Sequence, residues 1–122
     1  MNEDNFEYTE DLNAQAENGD QDAQFAIAMC FDHGYGIVKD PFEAIPWYKK
    51  AAEQGHPDAL FRLGELYGDN EQKDQAKSWY LKAAKKGHRE AMYTLGGFFS
   101  TDNSSKEDME QAQHWYSEAA QQ

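Results

Sequence analysis

The sequence is short of thiols, of long apolar runs and, through its first third, of positive charge, and each shortage removes a class of function. Cys30 is the single cysteine. One thiol cannot close an internal disulfide or build a thiolate metal site. It lies in the apolar run Phe25-Ala26-Ile27-Ala28-Met29-Cys30-Phe31 with nothing basic nearby to activate it, which reads as core. No apolar stretch approaches the roughly 20 residues that span a bilayer. The opening residues Met1-Asn2-Glu3-Asp4-Asn5-Phe6-Glu7 lack both the basic and the apolar region of a secretory signal. Met1 reads as the native start, and the expected location is the cytoplasm.

No Lys or Arg occurs before Lys39, while residues 1–38 carry Glu3, Asp4, Glu7, Glu10, Asp11, Glu17, Asp20, Asp22 and Asp32. Residues 39–98 are close to neutral, and residues 99–122 offer only Lys106 against five acids. The formal net charge is -12. Such a chain repels nucleic-acid phosphates and anionic membranes, so neither is an expected partner. It suits a basic protein partner, and it equally serves solubility. The apolar content of 39% is low for a deep single core and suits a thin layered architecture.

What is present is a repeat. Trp47-Tyr48-Lys49-Lys50-Ala51-Ala52-Glu53-Gln54-Gly55 returns as Trp79-Tyr80-Leu81-Lys82-Ala83-Ala84-Lys85-Lys86-Gly87, and again as Trp115-Tyr116-Ser117-Glu118-Ala119-Ala120-Gln121-Gln122. Ala44, Ala76 and Ala112 lie one helical turn before each Trp. Ala23, Ala59 and Ala91 follow Gly19, Gly55 and Gly87 by one turn, with Ile27, Leu63 and Leu95 and then Phe31, Tyr67 and Phe99 continuing the same spacing. Apolar residues at i, i+4 and i+8 share one helix face. Each unit therefore reads as helix A, a loop, helix B and a glycine in the left-handed position that ends a helix. The difference in period falls in the A–B loop, where a deletion leaves the packing register intact.

These residues resemble the Sel1-like repeat family, relatives of the tetratricopeptide repeats. The resemblance rests on Ala59-x3-Leu63-Gly64-x2-Tyr67, on Gly34-x-Gly36-Ile37-Val38-x-Asp40 and on Ala44-x2-Trp47-Tyr48-x2-Ala51-Ala52-x2-Gly55, and it covers about residues 16–122. Repeat 2 departs from the Gly-x-Gly loop with Gly68-Asp69-Asn70, and repeat 3 with Thr101-Asp102-Asn103-Ser104. Ala28 and Gly96 stand where repeat 2 has Gly64. The implied fold is all-α: a single right-handed α-solenoid of antiparallel helix pairs with about seven helices. Residues 1–18 would form an N-terminal capping helix, and residues 19–54, 55–86 and 87–122 the three repeats.

Shifting repeat 1 by its period places Leu12 on Tyr48, Ala16 on Ala52 and Gly19 on Gly55, so residues 4–18 are expected to form a degenerate helix B with an acidic outer side. The chain stops one residue short of the next repeat glycine, and helix B of repeat 3 is expected to be terminal, its outer face polar (Glu107, Glu110, Gln111, Gln113, His114, Glu118) or docked on something. Asp40-Pro41 reads as an N-cap and first helical residue. Pro46 then falls inside the helix at a cost of about 3 kcal/mol, which predicts a late start or a kink.

Chemistry is hard to find. His56 and His88 are equivalent, each just after a repeat glycine, and read as capping or loop residues; His33 reads as part of the A–B loop. No Cys/His cluster has metal-ligand spacing, and no cofactor or metal is expected. Gly34-Tyr35-Gly36 follows a helix and lacks the Lys-Ser/Thr of a phosphate loop. No Ser or Thr stands in a nucleophile-elbow context. A small enzyme or metal protein is the least favoured reading.

Surface remains. By analogy with tetratricopeptide repeats, helices A line a groove into which Asp22, Phe25 and Met29, then Asp58, Phe61 and Glu65, then Glu90, Tyr93 and Gly97 project. Acids (Asp22, Asp58, Glu90) lie one turn from aromatics (Phe25, Phe61, Tyr93), a pattern that grips a basic, partly apolar segment, although such aromatics also serve packing between repeats. The expected function is non-catalytic protein–protein interaction by a monomer or weak homodimer. Size and charge suggest a bacterial immunity protein that neutralises a cognate basic toxin; a regulatory adaptor or scaffold in bacterial signalling or envelope biogenesis is the alternative.

Overall fold

The computed structural model describes residues 8–69, 73–100 and 105–121. Among these residues there are seven helices: α1 (Glu10–Glu17), α2 (Gln21–His33), α3 (Pro41–Glu53), α4 (Pro57–Asp69), α5 (Lys73–Lys85), α6 (Arg89–Phe99) and α7 (Lys106–Ala120). They gather into two compact units, one ending at Ala59 and the other beginning at Leu60.

The repeat glycines end helices as expected. Gly19, Gly55 and Gly87 have φ of 100°, 88° and 90°, a region that costs a side-chain-bearing residue strain. In each case the glycine amide donates three residues back, and the following amide donates five back, as His56 does to the Ala51 carbonyl and His88 to the Ala83 carbonyl. This is a Schellman closure, and it satisfies the last carbonyls of helix B. The residue after the glycine then caps the next helix. Asp20 Oδ1 accepts from the Ala23 amide at 3.0 Å, His56 Nδ1 from Ala59 at 3.2 Å and His88 Nδ1 from Ala91 at 3.1 Å. The two histidines are thus capping residues in the place of an aspartate. His33, expected in the loop, is instead the last residue of α2, and Gly34 beyond it takes the left-handed turn.

Two local expectations are corrected. Helix α1 begins at Glu10, because Thr9 is its N-cap and accepts from the Leu12 amide at 3.1 Å. Residues 4–7 of the longer expected helix lie outside the described residues, as do most of the A–B loop residues at which repeats 2 and 3 depart from the family pattern. Helix α3 does not start late: Asp40 Oδ1 accepts from Phe42 and Glu43, and the helix runs from Pro41 through Pro46 to Glu53. Pro46 cannot donate to the Phe42 carbonyl, but Phe42 is 76% exposed, so water can take that place and the cost falls below that of a buried break.

In the first unit Ala16, Ala23 and Ile27 form a core on which Tyr8, Leu12, Phe31 and Trp47 pack. Leu12 and Ala16 occupy the positions that the repeat register assigns to a helix B. Gln24 is buried there but satisfied: its amide donates to the Ala16 carbonyl, and Gln54 donates to its oxygen. In the second unit Leu63, Leu95, Ala83, Ala91 and Ala119 are fully buried. Alanines at these positions let paired helices approach closely, and a tyrosine fills what remains.

Candidate interaction surfaces

The predicted groove residues do not stand free; most are fastened to their own repeat. In the first unit the Phe25 ring stacks on His56 at 4.7 Å and leans on Tyr48 at 5.8 Å. His56 Nε2 meets Asp22 Oδ1 at 3.2 Å. With Nδ1 occupied as the helix cap, the neutral ring has its N–H at Nε2, so the proton points at the carboxylate. Asp22, His56 and Phe25 are one assembly, its acid still 89% exposed and its rings half or fully covered. Met29 is half-buried, its sulfur 3.2 Å from the Tyr48 hydroxyl, whose single proton goes to the Asp32 carboxylate at 2.8 Å. Asp58 is exposed at the start of α4.

The second unit repeats the arrangement. Phe61 stacks on His88 at 4.6 Å and leans on Tyr80 at 5.4 Å. Glu65 pairs with Arg62 at 3.0 Å. Glu90 and Tyr93 are exposed, Tyr93 by 44%, and the Tyr93 ring leans on Tyr116 at 6.2 Å. The structure therefore stacks a phenylalanine on a histidine at each of two stations, and sets an acid, Asp22, beside the first. The histidines' share in these stations was missed, because a stack between Phe25 and His56 joins residues far apart in the chain. The available signal was that His56 and His88 recur in register with Phe25 and Phe61.

The stations also bear on stability. Replacing His56 with alanine removes a cap, worth about 1 kcal/mol, and a ring stack, worth about 0.5–1.5 kcal/mol. The expected loss is about 2 kcal/mol by chemical denaturation. His56→Asn retains an acceptor at the cap and should recover roughly half. Equal losses in the two variants would show that the cap carries nothing.

An all-helical chain whose units repeat a glycine closure, a cap and a Trp-Tyr pair is a helical-repeat protein, and comparison with known proteins says which kind. The Sel1 repeat model matches residues 21–56, 57–88 and 89–122. The chain belongs to the Sel1 repeat family. A Sel1 repeat protein from Oxalobacter formigenes is 34% identical, with a TM-score of 0.80 over 90% of this chain and 46% of that one. A protective antigen of uropathogenic Escherichia coli strains, displaying an SLR fold, is 33% identical, with a TM-score of 0.82 over 90% of this chain and 24% of that one. Chitin synthase regulatory factor 3 of Schizosaccharomyces pombe is 44% identical over 43 residues, which are 35% of this chain and 5% of the relative. The chain thus spans less than half of each. The solenoid class expected from the sequence is the fold found. Sel1 repeat proteins mediate protein–protein interaction, and their fold is a scaffold that is not typically catalytic. Among the described residues, no helix is long and apolar enough to cross a membrane.

Proposed function

We propose that this protein acts without catalysis, by binding a basic segment of another protein against the acid–aromatic stations. The observation that carries the reading is the recurrence of the station: a half-buried phenylalanine stacked on a capping histidine, with the exposed carboxylate of Asp22 fixed beside the first. The stack holds each ring in place before a partner arrives, so less side-chain entropy is lost on binding. The carboxylates add to a net charge of -12, which speeds encounter with a cationic partner. Charge of this sign favours an immunity protein that blocks a basic toxin in the bacterial cytoplasm, with the protein itself a monomer or weak homodimer.

A regulatory adaptor is the second reading, favoured by the relative described as a regulatory factor. Growth rescue separates the two. Co-expression with the toxic product of a neighbouring gene should restore growth for the wild type and fail for the double variant Asp22→Lys, Glu90→Lys. Both residues are exposed, so losing the Asp22–His56 contact and two first-turn acids should cost only part of the stability, which a thermal melt of the variant checks, while association with the toxin should slow by about tenfold or more at low salt. Absence of rescue by the wild type removes the immunity reading. Equal rescue by the double variant removes the acids from the binding surface.

A further inference from the structure

Asp32 is a carboxylate that the repeat does not require, since its position is Gly68 in repeat 2 and Ser100 in repeat 3. Its side chain is 14% exposed, and it accepts the proton of the buried Tyr48 hydroxyl at 2.8 Å. Both of its contacts among the described residues, that one and His33 Nε2 at 3.9 Å, fall on Oδ2, so Oδ1 keeps its acceptor capacity. The residue also completes a pattern. Asp22, Phe25, Met29 and Asp32 stand at i, i+3, i+7 and i+10 on α2, one stripe of the helix. Tyr48 touches Phe25, Met29 and Asp32, which sets these three on one side, and His56 joins Phe25 to Asp22. Repeat 2 has Glu65 and repeat 3 has Gly97 in place of Met29, so an apolar pair with an acid at either end occurs in repeat 1 alone. Among the described residues the ion-pair partners of the two acids are histidines, His56 and His33, and no Lys or Arg occupies them.

We propose that this stripe reads an extended segment of a partner protein in the order basic, any, apolar, any, basic, and that Asp32 is its anchor. The spacing sets the pattern. The α-carbons of Asp22 and Asp32 are about 15 Å apart along the helix, with Phe25 and Met29 about 4.5 and 10.5 Å from the first. An extended chain rises about 3.4 Å per residue and turns alternate side chains to one face. Its first and fifth residues then lie about 14 Å apart, within reach of both acids, and its third falls between Phe25 and Met29. A segment that folds on arrival would need eleven residues to make the same reach as a helix, and each ordered residue costs conformational entropy, which favours the five-residue form. The two acids contribute unequally. Asp22 is 89% exposed, where an ion pair is worth little. Asp32 is largely out of water with one oxygen open, which suits the planar fork of an arginine whose apolar stem lies on Met29.

The inference rests on the reading that the chain binds basic segments, and it adds a spacing and an anchor to it. The test is fluorescence anisotropy of the intact protein with labelled Gly-Arg-Ser-Leu-Ser-Arg-Gly and with Gly-Arg-Arg-Ser-Leu-Ser-Gly, which has the same composition and charge. The expected result is saturable binding of the first, about tenfold weaker for the second. Asp32→Asn keeps an acceptor for the Tyr48 hydroxyl, so the fold should survive, and a thermal melt checks it. That variant should bind the first peptide about tenfold more weakly and the second nearly as the wild type does, a difference that a merely structural role would not produce. Asp22→Asn should weaken the first by about threefold or less. Equal binding of the two peptides, or binding indifferent to Asp32→Asn, overturns the inference and leaves a charge-driven contact standing. Tighter binding of a helical peptide with arginines ten residues apart overturns it as well. Growth rescue that is indifferent to Asp22→Lys, Glu90→Lys removes instead the reading beneath it.

Discussion

Tyr48→Ala is expected to be among the most damaging single substitutions in the protein, at about 3–5 kcal/mol, while the same change at Tyr116 costs about 1 kcal/mol or less. The two residues occupy the same place in the repeat and would look interchangeable in any alignment of the units. Their surroundings differ. Tyr48 is 0% exposed, its hydroxyl donates to Asp32 at 2.8 Å, and its ring supports Phe25. Truncation leaves a cavity the size of a phenol among helices held by their own backbone bonds, and it removes a hydrogen bond. Tyr80, 6% exposed and flanked by Phe61 and Phe98, should fall close to Tyr48. Tyr116 leaves little behind, because 40% of it already meets water. Against a total stability of about 5–15 kcal/mol, the first change removes a large share and the last almost none. Urea titrations of the three variants should rank Tyr48 and Tyr80 well above Tyr116. Equal losses would mean that α7 is covered in solution by something that shields its tyrosine as α6 shields Tyr80.

This graded burial marks what the sequence did and did not disclose. The repeated Trp-Tyr, the alanine rows and the glycines at Gly19, Gly55 and Gly87 were legible, because each is a local device. A periodic apolar face makes a helix, and a glycine with positive φ ends one. The cap at Asp40 was legible for the same reason. The start of α1 was not, since Thr9 outcompetes the residues before it only through its own hydroxyl bond to Leu12. The late start that Pro46 suggested does not occur, because Asp40 caps the helix at Pro41 and the Phe42 carbonyl left without a donor sits in an exposed first turn. The acid and aromatic rows were visible as rows, but the histidines that fasten Phe25 and Phe61 were not. Nor was the exposure of Tyr116, because exposure is a property of what packs alongside and the repeat pattern treats Tyr48, Tyr80 and Tyr116 alike.

Three helical glycines give the second large contrast. Gly64→Ala is expected to destabilise by about 1–2 kcal/mol, Gly96→Ala to be close to neutral, and Gly97→Ala to stabilise by up to about 1 kcal/mol. Each replacement gains the same helix propensity, so the differences report packing alone. A β-carbon on Gly64 would lie 2.7 Å from Cε1 and 2.8 Å from Cδ1 of Tyr80, well inside contact distance. Tyr80 cannot swing away, since it is 6% exposed with a phenylalanine on either side. The clash at Gly96 is nominally worse, at 2.6 Å from the Tyr116 ring, but that ring is 40% exposed and can rotate into water. At Gly97 the added carbon meets nothing within 4 Å. Repeat 1 already carries Ala28 at the position of Gly64, against a tyrosine whose hydroxyl is drawn to Asp32, a residue that repeat 2 replaces with Gly68. The alanine there is therefore no guide to the cost in repeat 2. Thermal melts should order the variants Gly97→Ala, Gly96→Ala, Gly64→Ala from most to least stable. A Gly64→Ala protein that melts with Gly97→Ala would mean that the Tyr80 ring moves freely between Phe61 and Phe98.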